Sequence, residues 1–310
     1  MQNFLLSILI PVYNEEKNIE PLLKRLLPTI NKYEHEIIFI DDGSKDKTAQ
    51  LIKEKIKNNK NIKLVSFQRN FGHQQALTAG YQLVQGDCVI SLDADLQDPP
   101  EIIPSMIEKW QKGAEIVYAK RNKREFDTFF KRQTAKLFYQ LINFLSDTAI
   151  PENIGDYRLL DRKVVDFLNH LPERARFLRG LVAWGGFKED YVYFEREKRA
   201  SGQTHYTLSK MFNLAIDGIT SFSIKPLRLA VYLGFLTGIF GFLGIIYALY
   251  RRLFLPHDYW VTGWTAIFVA IMFMGGIQLL TVGIIGEYIG KIYQEIQNRP
   301  KFLIKEKINL

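Results

Sequence analysis

Three aspartates, Asp93, Asp95 and Asp98, fall within six positions of "SLDADLQDPP" (residues 91–100), directly after an apolar run. Carboxylates left unpaired where an apolar strand ends are costly. In an extended chain residues i, i+2 and i+4 share one face, so Asp93, Asp95 and Gln97 are expected to aim their oxygens at one point. Two carboxylates and an amide, completed by water and by phosphate oxygens of a ligand, suit Mg²⁺ or Mn²⁺. The plainer alternative is a solvated acidic turn before the Asp-Pro-Pro stop.

Two further polar clusters follow apolar runs. "PVYNEE" (Pro11 to Glu16) ends the first, where Tyr13 is placed to flank a planar base. "DDGSKDKT" (Asp41 to Thr48) ends the second; Asp41 and Asp42 suit acceptance of hydrogen bonds from a base or ribose, and Gly43 permits a tight turn. Each of these, taken alone, also reads as an ordinary strand-to-helix turn. No glycine-rich dinucleotide fingerprint and no P-loop occurs in the sequence, so any phosphate must be held differently.

The elements that must position these clusters alternate. "FLLSILIP", "HEIIFID", "IKLVSF", "DCVISLD" and "AEIVYAK" read as strands, separated by helical patterns such as "SKDKTAQLIKEKI" and "PEIIPSMIEKWQKG". Continuous apolar strands alternating with helices predict a mainly parallel α/β sheet covered on both faces. Ligands of such sheets bind beyond the carboxyl ends of the strands, where all three clusters lie.

The remaining composition divides the 310-residue chain. Up to about residue 205 it is mixed and charged. Leu229 to Tyr250 and Trp260 to Gly286 are then long uncharged stretches, each sufficient to cross a bilayer core, which takes about 20 apolar residues. Lysines and arginines concentrate before the first stretch and after the second, against Arg251 and Arg252 between them. The positive-inside bias therefore places the large N-terminal part and the tail in the cytoplasm. The net charge of +8 is in part a membrane-surface feature and needs no nucleic acid to explain it. The single cysteine, Cys88, excludes an internal disulfide, and the N-terminus lacks the basic region and cleavage site of a signal peptide. The expected division is a catalytic domain over 1–205, an amphipathic segment over 206–228, spans over 229–250 and 260–286, and a basic tail over 287–310. Residues 128–145 form a second amphipathic, basic candidate for the membrane interface. Glycine-rich spacing in the first span makes a homo-oligomer an expectation.

"PVYNEE", "DDGSKDKT" and "DADLQDPP", in this order, resemble glycosyltransferase family 2 with its GT-A fold. "GDYRLLDR" (155–162), the stretch from Arg199 to Tyr206, the two apolar spans and "GEYIGKIYQEIQNRPKF" narrow the resemblance to polyprenyl-phosphate glycosyltransferases. It covers about residues 4–303 and is carried most closely by the bactoprenol glucosyltransferases, with dolichol-phosphate mannose synthases and aminoarabinose transferases as relatives. The resemblance implies that Pro11, Tyr13 and Glu15 line a nucleoside pocket with Asp42 near the base or ribose. It implies Asp93, Asp95 and Gln97 as holders of Mg²⁺ or Mn²⁺ on the diphosphate. It implies Asp156 by the acceptor as candidate base, Arg158 beside the phosphates, Arg121 and Arg132 on the donor or the lipid phosphate, and Arg199 acting with a loop over 200–206 that closes over the donor. That loop has Thr204 and His205 where the family often has Ser and Lys.

The implied reaction is transfer of a sugar, glucose from a UDP-linked donor in the nearest relatives, to undecaprenyl phosphate with inversion. GDP-mannose or a modified sugar leaves much the same motifs. A lipid phosphate oxygen is already anionic at neutral pH, so Asp156 is expected to position groups more than to remove a proton. A processive polysaccharide synthase is disfavoured by two spans and the lack of a Gln-x-x-Arg-Trp motif, and a nucleotidyltransferase by the lack of a glycine-rich triphosphate loop. A catalytically inert membrane scaffold is the alternative from a different class.

Overall fold

The computed structural model describes residues 4–121, 154–174, 176–195, 220, 223–254 and 263–310. Four strands, β1 (Leu5–Val12), β2 (Glu34–Asp41), β3 (Ile62–Phe67) and β4 (Cys88–Ser91), are followed in turn by helices α1 (Ile19–Ile30), α2 (Thr48–Asn58), α3 (His73–Leu83) and α4 (Ile103–Gln111). Next come β5 (Ile116–Arg121), β6 (Ile154–Asp161), α5 (Arg162–His170), α6 (Leu178–Trp184) and β7 (Glu189–Phe194). The chain ends in α7 (Lys225–Phe254), α8 (Trp264–Ile296) and β8 (Ile304–Ile308).

One sheet has the order β7-β5-β6-β4-β1-β2-β3-β8. Its centre is parallel: β1 pairs with β2 and β4, and β2 with β3. β6 runs antiparallel to both β4 and β5, and β8 antiparallel to β3. Period-2 alternation sends Leu6, Ile8 and Ile10 of β1 into one core layer, with apolar residues of α1, α2 and α4. Leu9 goes to the other face, with Leu77 of α3, Val164 of α5 and Leu181 of α6. Burial on both faces explains why these strands read as unbroken apolar runs. The architecture is the expected GT-A type.

Three strands lie outside the sequence-based list. β6 occupies "IGDYRLLD" and β7 follows α6. β8 lies within the stretch expected to be a free basic tail, and it adds to the edge of the catalytic sheet.

A polar plug braces the amino-terminal end of the sheet. Glu36 is buried and accepts from Ser7 Oγ at 2.5 Å, Lys63 Nζ at 2.6 Å and the Gln85 amide at 2.7 Å. Burial alone raises a carboxyl pKa, but the three donors prevail and hold Glu36 below its ordinary value.

The two C-terminal helices pack on each other and present Phe235, Phe242, Ile271 and Leu279 outward. Their apolar stretches, Lys225–Tyr250 and Ile267–Ile296, are 11% and 0% buried, so they are not core helices of the soluble domain. Both are long and apolar enough to cross a membrane. The last turn of α8 is tied to the catalytic domain: the Arg174 amide donates to both Glu295 carboxylate oxygens at 2.9 and 3.1 Å.

Candidate active site

The loops after β1 and β2 brace one another. The Asn14 amide donates to Ser44 Oγ at 2.9 Å, the Lys45 amide to Asn14 Oδ1 at 2.8 Å, and the Glu15 amide to Thr48 Oγ1 at 2.8 Å. Asn14 adopts φ 55°, a conformation Asn tolerates better than most residues. Gly43 has φ 73°, and a Cβ there lies 2.6 Å from the Arg69 backbone carbon, so no other residue fits this turn without displacing the next loop.

Beyond β2 and β3 these loops enclose a cleft of about 540 Å³, lined by Tyr13, Asp41, Lys45, Lys53, Arg69 and Glu306 among others. Of the residues expected to line a nucleoside pocket, Tyr13 does so. Pro11 is buried in β1, and Glu15 accepts from Asn18 Nδ2 at 2.5 Å. Asp42 is 3% exposed, and its two oxygens receive the Phe71 and Gly72 amides at 2.7 and 2.9 Å. Asp41, equally buried and accepting from the Ser44 amide at 2.9 Å, is among the residues lining the cleft, and Asp42 is not. Asp42 holds the 69–72 loop in place.

A second group of charges collects across the ends of β4 and β6. Arg179 of α6 clamps Asp156, with Nε to Oδ1 at 3.1 Å and Nη2 to Oδ2 at 2.8 Å. His73, the first residue of α3, brings Nε2 to 3.3 Å from Asp156 Oδ2 and 3.8 Å from Asp93 Oδ1. Burial favours a neutral Asp156, yet Arg179 and His73 hold its pKa well below the usual carboxylate range. Burial likewise opposes charge on His73, but Asp156 and Asp93 lift its pKa to about 9. At neutral pH the cluster is thus an ionised Asp156 between an imidazolium and a guanidinium. Both carboxylate oxygens of Asp156 are engaged by cationic side chains.

Asp93 is pushed the other way. Burial raises its pKa and so do the Asp156 and Asp95 carboxylates, with His73 the main opposing charge.

The geometry corrects the expectation of an extended Asp93–Gln97 segment. β4 ends at Ser91, and the chain then turns, with Leu96 at φ 59°. The Gln97 amide donates to Asp95 Oδ1 at 3.1 Å, closing a local Asx turn. Asp98 is buried, 3.5 Å from Arg121 Nη2, which gives Arg121 a carboxylate partner within the protein.

Arg158, expected beside the phosphates, is 0% exposed. It shares a strand face with Asp156, and its Nη2 lies 3.8 Å from Asp156 Oδ1. Among the described residues it is not part of the cleft lining, and it lies within the core beside Asp156. Arg132, Arg199 and His205 lie outside the described residues. His73 and Arg179 were missed by sequence reasoning. The only available signal for either was position: His73 follows "NFG" at a strand end, and Arg179 has none.

A cleft at the carboxyl ends of β2 and β3 and an acidic turn after β4 sit on a mainly parallel sheet of the GT-A type. Residues 7–168 match Glycosyl transferase family 2, and residues 225–292 match the GtrB C-terminal hairpin. The chain belongs to glycosyltransferase family 2 and is a glycosyltransferase. It is 46% identical over 306 residues to the uncharacterized glycosyltransferase YkcC of Bacillus subtilis (strain 168), covering 98% of this chain and 94% of that one. It is 44% identical over 303 residues to the SfII prophage-derived bactoprenol glucosyl transferase of Shigella flexneri, covering 97% of each. Among solved structures, glucosyl-3-phosphoglycerate synthase from Mycobacterium tuberculosis in complex with Mn²⁺, uridine diphosphate and glucosyl-3-phosphoglycerate aligns at TM-score 0.49. Its identity is 17%, over 70% of this chain and 78% of that one.

Proposed function

We propose that the protein transfers glucose from UDP-glucose to a membrane polyprenyl phosphate, undecaprenyl phosphate, with inversion at the anomeric carbon. The observation that carries this reading is the Asp93–His73–Asp156–Arg179 cluster, which sets cationic groups beside an acidic turn and engages the Asp156 carboxylate with His73 and Arg179. That arrangement suits an acceptor whose attacking oxygen is already anionic. The near full-length likeness to a bactoprenol glucosyl transferase supports the choice of sugar and lipid.

Tyr13, Asp41 and Arg69 border the cleft that takes the nucleoside. Asp93 and Asp95 suit a divalent cation, Mg²⁺ or Mn²⁺, with Gln97 as a neutral oxygen donor. When bound, such a cation neutralises the diphosphate leaving group. His73 and Arg179 face the same developing charge, held in orientation by Asp156. The lipid phosphate oxygen forms a bond to the anomeric carbon as the bond to the diphosphate oxygen breaks, and its electron pair leaves with UDP. No proton has to move.

In this reading the two C-terminal helices, long and apolar enough to cross a membrane, span it with the catalytic domain and both termini in the cytoplasm, which the lysines and arginines flanking them support. The test supplies purified protein with undecaprenyl phosphate, Mg²⁺ or Mn²⁺ and a panel of labelled UDP- and GDP-sugars. Label in extracted lipid from UDP-glucose supports the reading. Label from another donor alone replaces the sugar, and none from any donor overturns the function.

A further inference from the structure

The C-terminal strand reaches the donor cleft. β8 pairs with β3 through Leu64–Ile308, Val65–Lys307 and Ser66–Glu306, then shifts register so that Phe67 faces Ile304. The extra residue in that shift is Lys305, a β-bulge, and bulges re-aim side chains at sheet edges. The result is visible in the packing: Ile308 joins the core layer of α1 and α2, whereas Ile304 joins the opposite one. Lys305 and Glu306, at the point of reversal, both line the cleft. Glu306 is fixed there by Lys53 of α2, Nζ to Oε1 at 2.6 Å.

This strand is anchored at both ends. Phe302 stacks on Phe67 with ring centroids 5.1 Å apart, the Gln68 amide donates to the Leu303 carbonyl at 3.0 Å, and Asn309 Nδ2 donates to the Ile62 carbonyl at 3.1 Å. Residues 297–303 alone separate it from the end of α8. The wall of the cleft and the second membrane helix are thus one short, continuous run of chain.

We propose that β8 forms part of the donor-nucleotide site, with Lys305 and Glu306 contacting the nucleoside diphosphate. Glu306 offers an acceptor to ribose hydroxyls or a base N–H, and Lys305 a cation to phosphate. The proposal rests on the cleft being the nucleotide site. It adds that this site is incomplete without the chain's last residues, and that they lead directly from the membrane anchor.

The experiment uses the full chain in detergent and follows UDP binding calorimetrically for the wild type, Lys305→Ala, Glu306→Gln, Lys307→Ala and Asp93→Ala. Lys307 lies on the same strand, is exposed and is not among the cleft residues, so it is the control. Lys305→Ala and Glu306→Gln are expected to weaken UDP at least about fivefold, the size of one hydrogen bond, with Lys307→Ala unchanged. Amide exchange of residues 303–308 in the wild type, with and without UDP, serves where a variant does not fold, and slower exchange with UDP is the expected result. Wild-type affinity in both variants, with no change in exchange while Asp93→Ala loses UDP, overturns the role of β8 alone. A wild type that binds neither UDP nor GDP overturns this proposal and the transferase reading together.

Discussion

Arg179 holds Asp156 by two hydrogen bonds, at 3.1 and 2.8 Å, while His73 approaches the same carboxylate at 3.3 Å. A carboxylate so occupied is an organiser of cations. The consequence for activity is testable: Asp156→Asn is expected to lower kcat by roughly 100-fold, the usual scale for a lost electrostatic group, while UDP affinity changes little. The pKa of Asp156 is held well below its ordinary 3.8. It stays ionised at every pH above that value, and the wild-type rate is expected to show no limb from a carboxylate base between about pH 6 and 8. An acidic limb in that range that disappears in the Asn variant contradicts this assignment.

Arg158 separates support from contact. Because it is fully buried beneath Asp156, Arg158→Met is expected to leave UDP affinity at the wild-type level while lowering turnover. A variant that folds, as judged by its melting temperature, yet loses UDP binding returns Arg158 to the phosphates.

Gly43→Ala tests the brace between the loops. The substitution imposes a side chain at φ 73° and 2.6 Å from the Arg69 backbone. A cost of roughly 1–3 kcal/mol is expected, together with weaker UDP binding as the cleft wall at Arg69 shifts. Thermal melting and UDP titration of the same sample check both.

Glu36 carries a stability prediction with a defined sign. Its pKa in the fold lies below the ordinary 4.5, so its contribution is full above that value and is lost as pH falls through the folded pKa. Glu36→Gln leaves Lys63 without its buried partner and is expected to cost roughly 3 kcal/mol near neutral pH. The gap in melting temperature between wild type and variant is expected to narrow as the pH falls below 4.5. A gap that stays constant down to acid pH removes the ion pair as its source.

Much of this was readable in advance for a physical reason. β1 to β4 are buried on both faces, and their apolar runs stop where Pro11, Asp41 and Asp93 begin. The polar ends of buried strands are conspicuous. β6 was hidden because Asp156 and Arg158 occupy inward positions on a buried strand, and their partners Arg179 and His73 come from α6 and α3. Such satisfaction is tertiary and leaves no local pattern. β8 was hidden because "IKEKI" is an edge strand, where alternating charge is ordinary and looks like a solvated tail. The extended reading of Asp93–Gln97 failed at Leu96, whose left-handed conformation belongs to no residue-type rule.

The most direct measurement is transfer of labelled glucose from UDP-glucose to undecaprenyl phosphate by the wild type, Asp93→Ala and Asp95→Ala, each with divalent cation and with chelator. The account predicts labelled lipid from the wild type with Mg²⁺ or Mn²⁺, and loss of nearly all label in both variants and in chelator. Full transfer by either variant, or by the wild type in chelator, contradicts it.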